Sequence, residues 1–100
     1  MKEATQVRRV RFVVHGLVQG VNFRAATVRE AASRRLTGRV WNRDDGGVEL
    51  IVEGADASIE DFERWLRRGP RLADVESVER SVLAGERRYR EFAISYGPAN

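Results

Sequence analysis

VHGLVQGVNFR, residues Val14 to Arg24, is the stretch on which the reading of this chain turns. Before it the apolar residues repeat with a period of two, and after it with a period near that of a helix. Upstream, in residues 7–14, Val10, Phe12 and Val14 alternate with Arg9 and Arg11. That is the pattern of a strand with one covered and one solvated face. Downstream, from Asn22 or Phe23 to about Arg35, Phe23, Ala25, Val28, Ala32 and Leu36 recur near i, i+3 and i+4 spacing, and Arg29, Glu30, Arg34 and Arg35 mostly turn away. This segment is Ala-rich, lacks Gly and Pro, and predicts a helix with Asn22 as its N-cap. Between strand and helix, Gly16 and Gly20 let the backbone take positive φ or come close to a ligand. A tight loop entering a helix turns several backbone N–H groups toward one point, and the helix N-terminus adds partial positive charge. Arg24 brings a planar, permanently charged fork to the same place. The stretch predicts a cradle for an oxyanion.

The chain beyond the helix supplies the rest of a fold. Gly38–Arg43 and Val48–Glu53 read as two strands around Asp44-Asp45-Gly46-Gly47. Pointing Val40 to the same face as Val48, Leu50 and Val52 requires Asn42 opposite Val48 and Val40 opposite Leu50. The hairpin then closes through the three-residue loop Asp44-Asp45-Gly46, with Gly46 in the left-handed position of a bulged turn. Trp41 and Glu49 face each other on the outer side, and Asn42 ends its strand on the covered side. A second helix follows, capped by Asp56 or Ser58, with Glu60 and Asp61 in its first turn and Arg67 and Arg68 in its last. Ile59, Phe62, Trp65 and Leu66 form its stripe, and Gly69-Pro70 ends it. Residues 74–83 read as a strand in which Val75 and Val78 break alternation, the mark of a bulge. Residues 84–90 are a polar loop, and Phe92, Ile94 and Tyr96 alternate in a short last strand. The order βαββαβ plus a short C-terminal edge strand predicts an α+β protein, a ferredoxin-like open-faced α/β sandwich. It is expected to be a single domain over residues 1–100, with its core from about 7 to 96 and frayed polar ends.

Composition narrows what such a domain does. One hundred residues, 42% of them hydrophobic, support one small core. The absence of Cys excludes disulfides, thiolate chemistry and Cys-ligated metal. No apolar run approaches the roughly 20 residues of a membrane span, and the opening MKEATQVRR has no secretory apolar region. The expected location is the cytoplasm. A net charge of +3, carried almost wholly by arginine with Lys2 the only lysine, is a mild bias toward anionic partners. The scattered charges are accounted for by an Arg-rich solvated surface.

The residues quoted above carry a resemblance. Gly16-Leu17-Val18-Gln19-Gly20-Val21-Asn22-Phe23-Arg24 matches every fixed position of the acylphosphatase signature G-x-V-Q-G-V-x-F-R. A second family segment is matched by Gly38, Val40 and Asn42, then Asp45-Gly46, Val48 and Gly54, and a third by Gly69-Pro70 with Ala73 and Val75. The likeness covers about residues 7–96. The departures are Arg39 where the family usually has an aromatic, Trp41 where it has a small or basic residue, and Ala25 where an aromatic commonly follows the loop arginine. None removes a residue that the chemistry needs.

The resemblance implies hydrolysis of the carboxyl–phosphate bond of acyl phosphates, without metal or other cofactor. It implies that Arg24 and the backbone N–H groups of the loop Gly16, Leu17, Val18, Gln19, Gly20 and Val21 hold the phosphoryl oxygens, and that Asn42 orients the attacking water. The expected partners are a small-molecule acyl phosphate and inorganic phosphate as product inhibitor; neither membrane nor nucleic acid is expected, and the chain is expected to act as a monomer. Read without the resemblance, Arg24 is a surface cap or ion-pair residue and Asn42 a turn-starting amide. His15, the only histidine, invites assignment as a base, but the signature does not fix its position and loop packing accounts for it. Gln19 is expected to pin the loop. Asp44 and Asp45 read as turn residues, Ser33, Ser58 and Ser77 lack a His/Asp setting for nucleophilic chemistry, and Phe62 and Trp65 belong to the core. The competing class is a non-catalytic anion- or RNA-binding module on the same fold, such as the acylphosphatase-like domain of larger carbamoyl-transfer proteins. Against RNA, the sheet offers Trp41 but no paired aromatics in a basic motif.

Overall fold

The computed structural model describes residues 6–99; the polar N-terminal stretch before Gln6 and the final Asn100 lie outside the described residues. Strand β1 spans Arg8–Leu17 and helix α1 Phe23–Ser33. They are followed by β2 (Thr37–Asn42), β3 (Val48–Gly54), α2 (Asp56–Arg68), β4 (Asp74–Leu83) and β5 (Phe92–Ile94). The sheet order is β4-β1-β3-β2-β5, antiparallel throughout except for the parallel pair β2–β5. Because β1 and β2 both run antiparallel to β3, they are parallel to each other, as are β3 and β4 about β1. Two βαβ units are thus interleaved, and their helices cover one face. This is the expected ferredoxin-like sandwich.

The core lies between that face and the helices. Val10, Phe12, Val14, Val40, Leu50 and Val52 are buried beneath Ile59, Phe62, Trp65 and Leu66, the predicted α2 stripe. Phe62 stands 6.1 Å from Trp65 and 6.3 Å from Phe92, ring centre to ring centre, so α2 also seals the short edge strand. The face of α1 departs from the expected one. Its buried residues are Phe23, Ala26, Thr27 and Ala31, while Ala32 is exposed. Thr27 reads as polar in the sequence, but its hydroxyl donates to Phe23 O within the helix at 2.8 Å, and the remaining side chain packs as an apolar one. At the start of α2 the cap position belongs to Ala55, without a side-chain hydrogen bond, and not to Asp56 or Ser58. Asp56 is the only acidic residue of the first turn; Asp61 instead pairs with Arg34 at 2.6 Å and Arg64 at 3.0 Å.

The outer face of the sheet was expected to be wet and is largely closed. Arg9, Trp41, Glu49, Ile51 and Glu53 are all buried there. Topology explains this. Strands β4 and β5 occupy opposite edges, so the connection 84–91 must cross the sheet, and it crosses on the outer side. Glu53 anchors it, accepting from Arg88 N at 2.9 Å, Tyr89 N at 3.0 Å, Arg9 Nε at 2.9 Å and Thr37 Oγ1 at 3.0 Å. Arg39, the departure from the family's aromatic, lies 4.5 Å from the Tyr89 ring centre, so an arginine–aromatic stack fills that part of the face.

Candidate active site

Strand β1 runs further into the glycine-bearing stretch than expected. β1 stays paired with β4 through Gly16 opposite Val75 and Leu17 opposite Asp74, past a register shift that leaves Glu76 as the extra residue of β4. This is the bulge the Val75/Val78 spacing predicted. Gly16 has φ +129°, and a Cβ there would stand 2.2 Å from Asp74 O. Its glycine is demanded by the close approach of β4. The free loop runs from Val18, which is buried and ties the loop to the core. Gly20 (φ +76°) and Asn22 (φ +66°) are both left-handed, a conformation Asn tolerates better than most residues. Asn22 does occupy the cap position of α1, its carbonyl accepting from Ala26 N at 3.1 Å, but its side chain makes no cap hydrogen bond. A side-chain cap works from extended backbone. Here the first-turn N–H groups of α1 are left without a capping side chain, facing the ground in front of the loop.

Arg24 is set in place by its neighbour. Phe23 is buried against Trp65 of α2 at 5.7 Å between ring centres, which fixes the first turn of α1. Arg24 then borders a cleft of about 300 Å³ lined by Val18, Gly20, Asn22, Phe23, Arg24, Ala25, Asn42 and Ile94. Asn42 enters from the sheet. The hairpin has the predicted register, Asn42 opposite Val48, Trp41 opposite Glu49 and Val40 opposite Leu50, closed by Arg43 N to Gly47 O at 2.9 Å with Gly46 at φ +93°. Asn42 therefore ends β2 on the helix side, exposed to the cleft. Gln19 joins the two halves: its Nε2 donates to Arg43 O and Gly47 O, each at 2.8 Å. The structure thus brings Val18, Gly20, Arg24 and Asn42 together. Gln19 stands behind as the expected pin. Gly16 and Leu17 remain in the strand, and Val21 packs partly buried against the core.

Charge in the cleft is simple. Arg24 is its one ionisable lining residue, and among the described residues no carboxylate forms an ion pair with it. Its guanidinium carbon lies 5.9 Å from the ring centre of Tyr96, a side chain 91% exposed. His15 turns to the outer face and meets Glu79 at 2.7 Å. Asp45 is occupied by its own turn, accepting from Gly47 N at 3.0 Å and pairing with Arg43 at 2.9 Å. Arg43, that N–H and the charge of nearby His15 hold its carboxyl down at about 2. Among the described residues no three or more His, Cys, Asp or Glu side chains gather to hold a metal. A site of this kind, with backbone N–H donors, one permanent cation and two neutral side-chain amides, Asn22 and Asn42, suits a phosphoryl group and offers it no acid or base.

Five lining or rim residues were not among the expected site residues: Asn22, Phe23, Ala25, Ile94 and Tyr96. For the last two, the alternation of Phe92, Ile94 and Tyr96 carried the signal, but their place beside Arg24 depends on β5 pairing with β2, which period alone does not reveal. Strand β5 ends at Ile94. Ser95 then donates to Val40 O at 2.8 Å, and its hydroxyl to Gly97 O at 2.6 Å, which turns Tyr96 out over the cleft rim.

Fold and site together define a small ferredoxin-like domain with a cleft at the junction of β1, α1 and β2. The sequence pattern of the acylphosphatase family matches residues 10–94. An acylphosphatase of Pasteurella multocida is 41% identical over 85 residues, covering 85% of this chain and 94% of the relative. Among solved structures, an acylphosphatase from Coxiella burnetii superposes with a TM-score of 0.85 at 35% identity, covering 89% of this chain and 93% of that one. Acylphosphatase from Bacillus subtilis gives 0.86 at 33%, covering 91% and 100%. The chain belongs to the acylphosphatase family, and acyl phosphate hydrolysis is the activity that membership carries. No helix among the described residues is long and apolar enough to cross a membrane.

Proposed function

We propose that the chain hydrolyses acyl phosphates without a metal, by in-line attack of a water that Asn42 orients on a phosphoryl group held by Arg24 and the N–H groups of the loop and of the first turn of α1. The observation that carries this reading is the cleft lining: one permanent cation, the two neutral amides of Asn22 and Asn42, and no group able to give or take a proton near neutral pH. An alkyl phosphate needs its alkoxide leaving group protonated. An acyl phosphate leaves as a stable carboxylate and does not. A site that stabilises phosphoryl charge and aligns water, and does nothing else, matches the second substrate.

The steps follow from the residues. The transition state spreads charge over three equatorial oxygens. Left-handed Gly20 and Asn22 bend the chain so that successive N–H groups converge on those oxygens, and the Arg24 fork takes two more directions. These dipoles are fixed before reaction, so little reorganisation accompanies the charge as it forms. The Asn42 side chain accepts one hydrogen bond from water and donates another toward the phosphoryl, positioning the nucleophile without a base's charge. Phosphate, the product, keeps every cradle contact and so inhibits competitively.

Benzoyl phosphate hydrolysis in the presence of a chelator tests the reading. The wild type is expected to turn over and phosphate to compete with substrate. Arg24→Ala is expected to lose about 3 kcal/mol of transition-state stabilisation or more, on the order of 100- to 1,000-fold in rate, as when other preorganised donors are removed. Binding of phosphate or RNA without turnover would place the chain in the non-catalytic class instead.

A further inference from the structure

A second basic pocket lies on the other side of the sheet from the cleft. It is a recess of about 170 Å³ lined by Arg9, Arg11, Ile51, Leu83, Ala84 and Arg88. Arg9 is 3% exposed. Its Nε is bound to Glu53 and its Nη1 to Ala84 O at 3.0 Å. Its Nη2 is buried and has no hydrogen-bond partner among the described residues. A buried guanidinium N–H left unmatched is costly, and native proteins leave few such groups without a reason.

The carboxylates nearby are already spent. Glu53 serves Arg9, Thr37 and the two N–H groups of the crossing segment. Glu49 is divided between Arg11 and Arg43. The Arg88 side chain forms no ion pair among the described residues, although its backbone N–H is tied to Glu53. Three guanidinium groups therefore line one recess with a local excess of positive charge. A Cβ on Gly85 would stand 3.8 Å from Arg9 Nη1 and 3.9 Å from Arg88 Nη2, so the two groups are less than 8 Å apart. Two charge-assisted hydrogen bonds of about 2.8 Å each, made by different oxygens of one anion, bridge such a gap. The volume exceeds that of a single water, about 30 Å³.

We propose that this outer pocket binds a small tetrahedral oxyanion of the phosphate class, bridging the Arg9 and Arg88 guanidinium groups with Arg11 as a flanking cation. The bound anion offsets the local excess of positive charge and ties the crossing segment to β1. It binds the folded state only, and therefore stabilises it by mass action. The proposal is independent of the cleft chemistry, since none of these residues touches the cleft.

Titration with inorganic phosphate, followed by backbone amide NMR, tests it. In Arg24→Ala, which weakens the cleft site, the amides of Gly85 and Arg88 are expected to shift saturably and the melting temperature to rise with phosphate. Arg88→Ala is expected to abolish the shifts around residue 85 while leaving those of residues 18–24 and the turnover of benzoyl phosphate intact. Arg11→Ala is expected to weaken the same shifts, and benzoate in place of phosphate to produce little. The proposal is overturned if Gly85 does not respond to phosphate in Arg24→Ala, or if its response persists unchanged in Arg88→Ala. Loss of turnover in wild type would count against the cleft assignment and leave this test standing.

Discussion

Gln19→Ala separates holding a phosphate from using it. The side chain makes two hydrogen bonds from one nitrogen to the carbonyls of Arg43 and Gly47, each worth about 0.5–1.5 kcal/mol net. Neither carbonyl is orphaned by the change, because Gly47 O also accepts from Arg43 N at 2.9 Å and Arg43 O from Gly46 N at 3.3 Å. The loss of stability therefore belongs in the lower half of the summed range, about 1–2 kcal/mol, or a fall in melting temperature on the order of 10 °C for a domain of this size. The kinetic effect is expected to be larger than the thermal one suggests. Gln19 is the strut between the loop and the hairpin that carries Asn42, and a misplacement near 1 Å between reacting groups costs about 100-fold. Thermal melts with benzoyl phosphate kinetics on the same preparation read both. kcat is expected to fall by more than tenfold while competitive inhibition by phosphate changes little, since the loop's own donors remain. Gln19→Glu is expected to be worse than Ala, because it sets a carboxylate against two carbonyl oxygens. Wild-type kcat in Gln19→Ala, or a Glu variant equal to wild type, would refute the reasoning.

Other outcomes follow from the outer face and the turn. Glu53→Ala leaves the buried Arg9 guanidinium without its carboxylate and frees the N–H groups of Arg88 and Tyr89; urea unfolding is expected to show a loss of about 3–5 kcal/mol, the range for breaking a buried pair by removing one partner. Burial pushes the Glu53 carboxyl up, but Arg9, the two N–H groups and Thr37 outweigh it and hold it below its ordinary value. A carboxyl lowered in the folded state stabilises above its unfolded value and loses that stabilisation as pH falls. For Asp45 the window is set by 3.8 unfolded and about 2 folded. Its contribution is complete above the first value and gone below the second, so melts in acid are expected to show Asp45→Asn matching wild type only at the lowest pH.

The periods in the sequence carried the element order, the hairpin register and the place of Asn42 on the covered face at the end of β2; the link between Asn42 and the loop came from the family resemblance. They misjudged what is decided elsewhere. The apolar spacing turned α1 toward Ala32, whereas Ala26, Thr27 and Ala31 are the residues it buries; Thr27 can do so because its hydroxyl is satisfied within the helix, which no period reveals. Arg9, Trp41 and Glu49 looked solvated because alternation does not say that a later connection will cross the outer face. Tyr96 and Ile94 reached the cleft rim through strand order, a consequence of the whole topology. The glycine at position 16 also answers to the close approach of β4, which no local pattern in the sequence shows.

Arg24 and Asn42 divide the labour of the proposed site, and the sharpest measurement is Asn42→Ala assayed for turnover of benzoyl phosphate and for phosphate binding together. The predicted result is a fall in kcat of about 100-fold or more with phosphate affinity near wild type, because the cradle is untouched and only the water has lost its guide. Near-wild-type turnover, or loss of turnover and phosphate binding in equal measure, would contradict it.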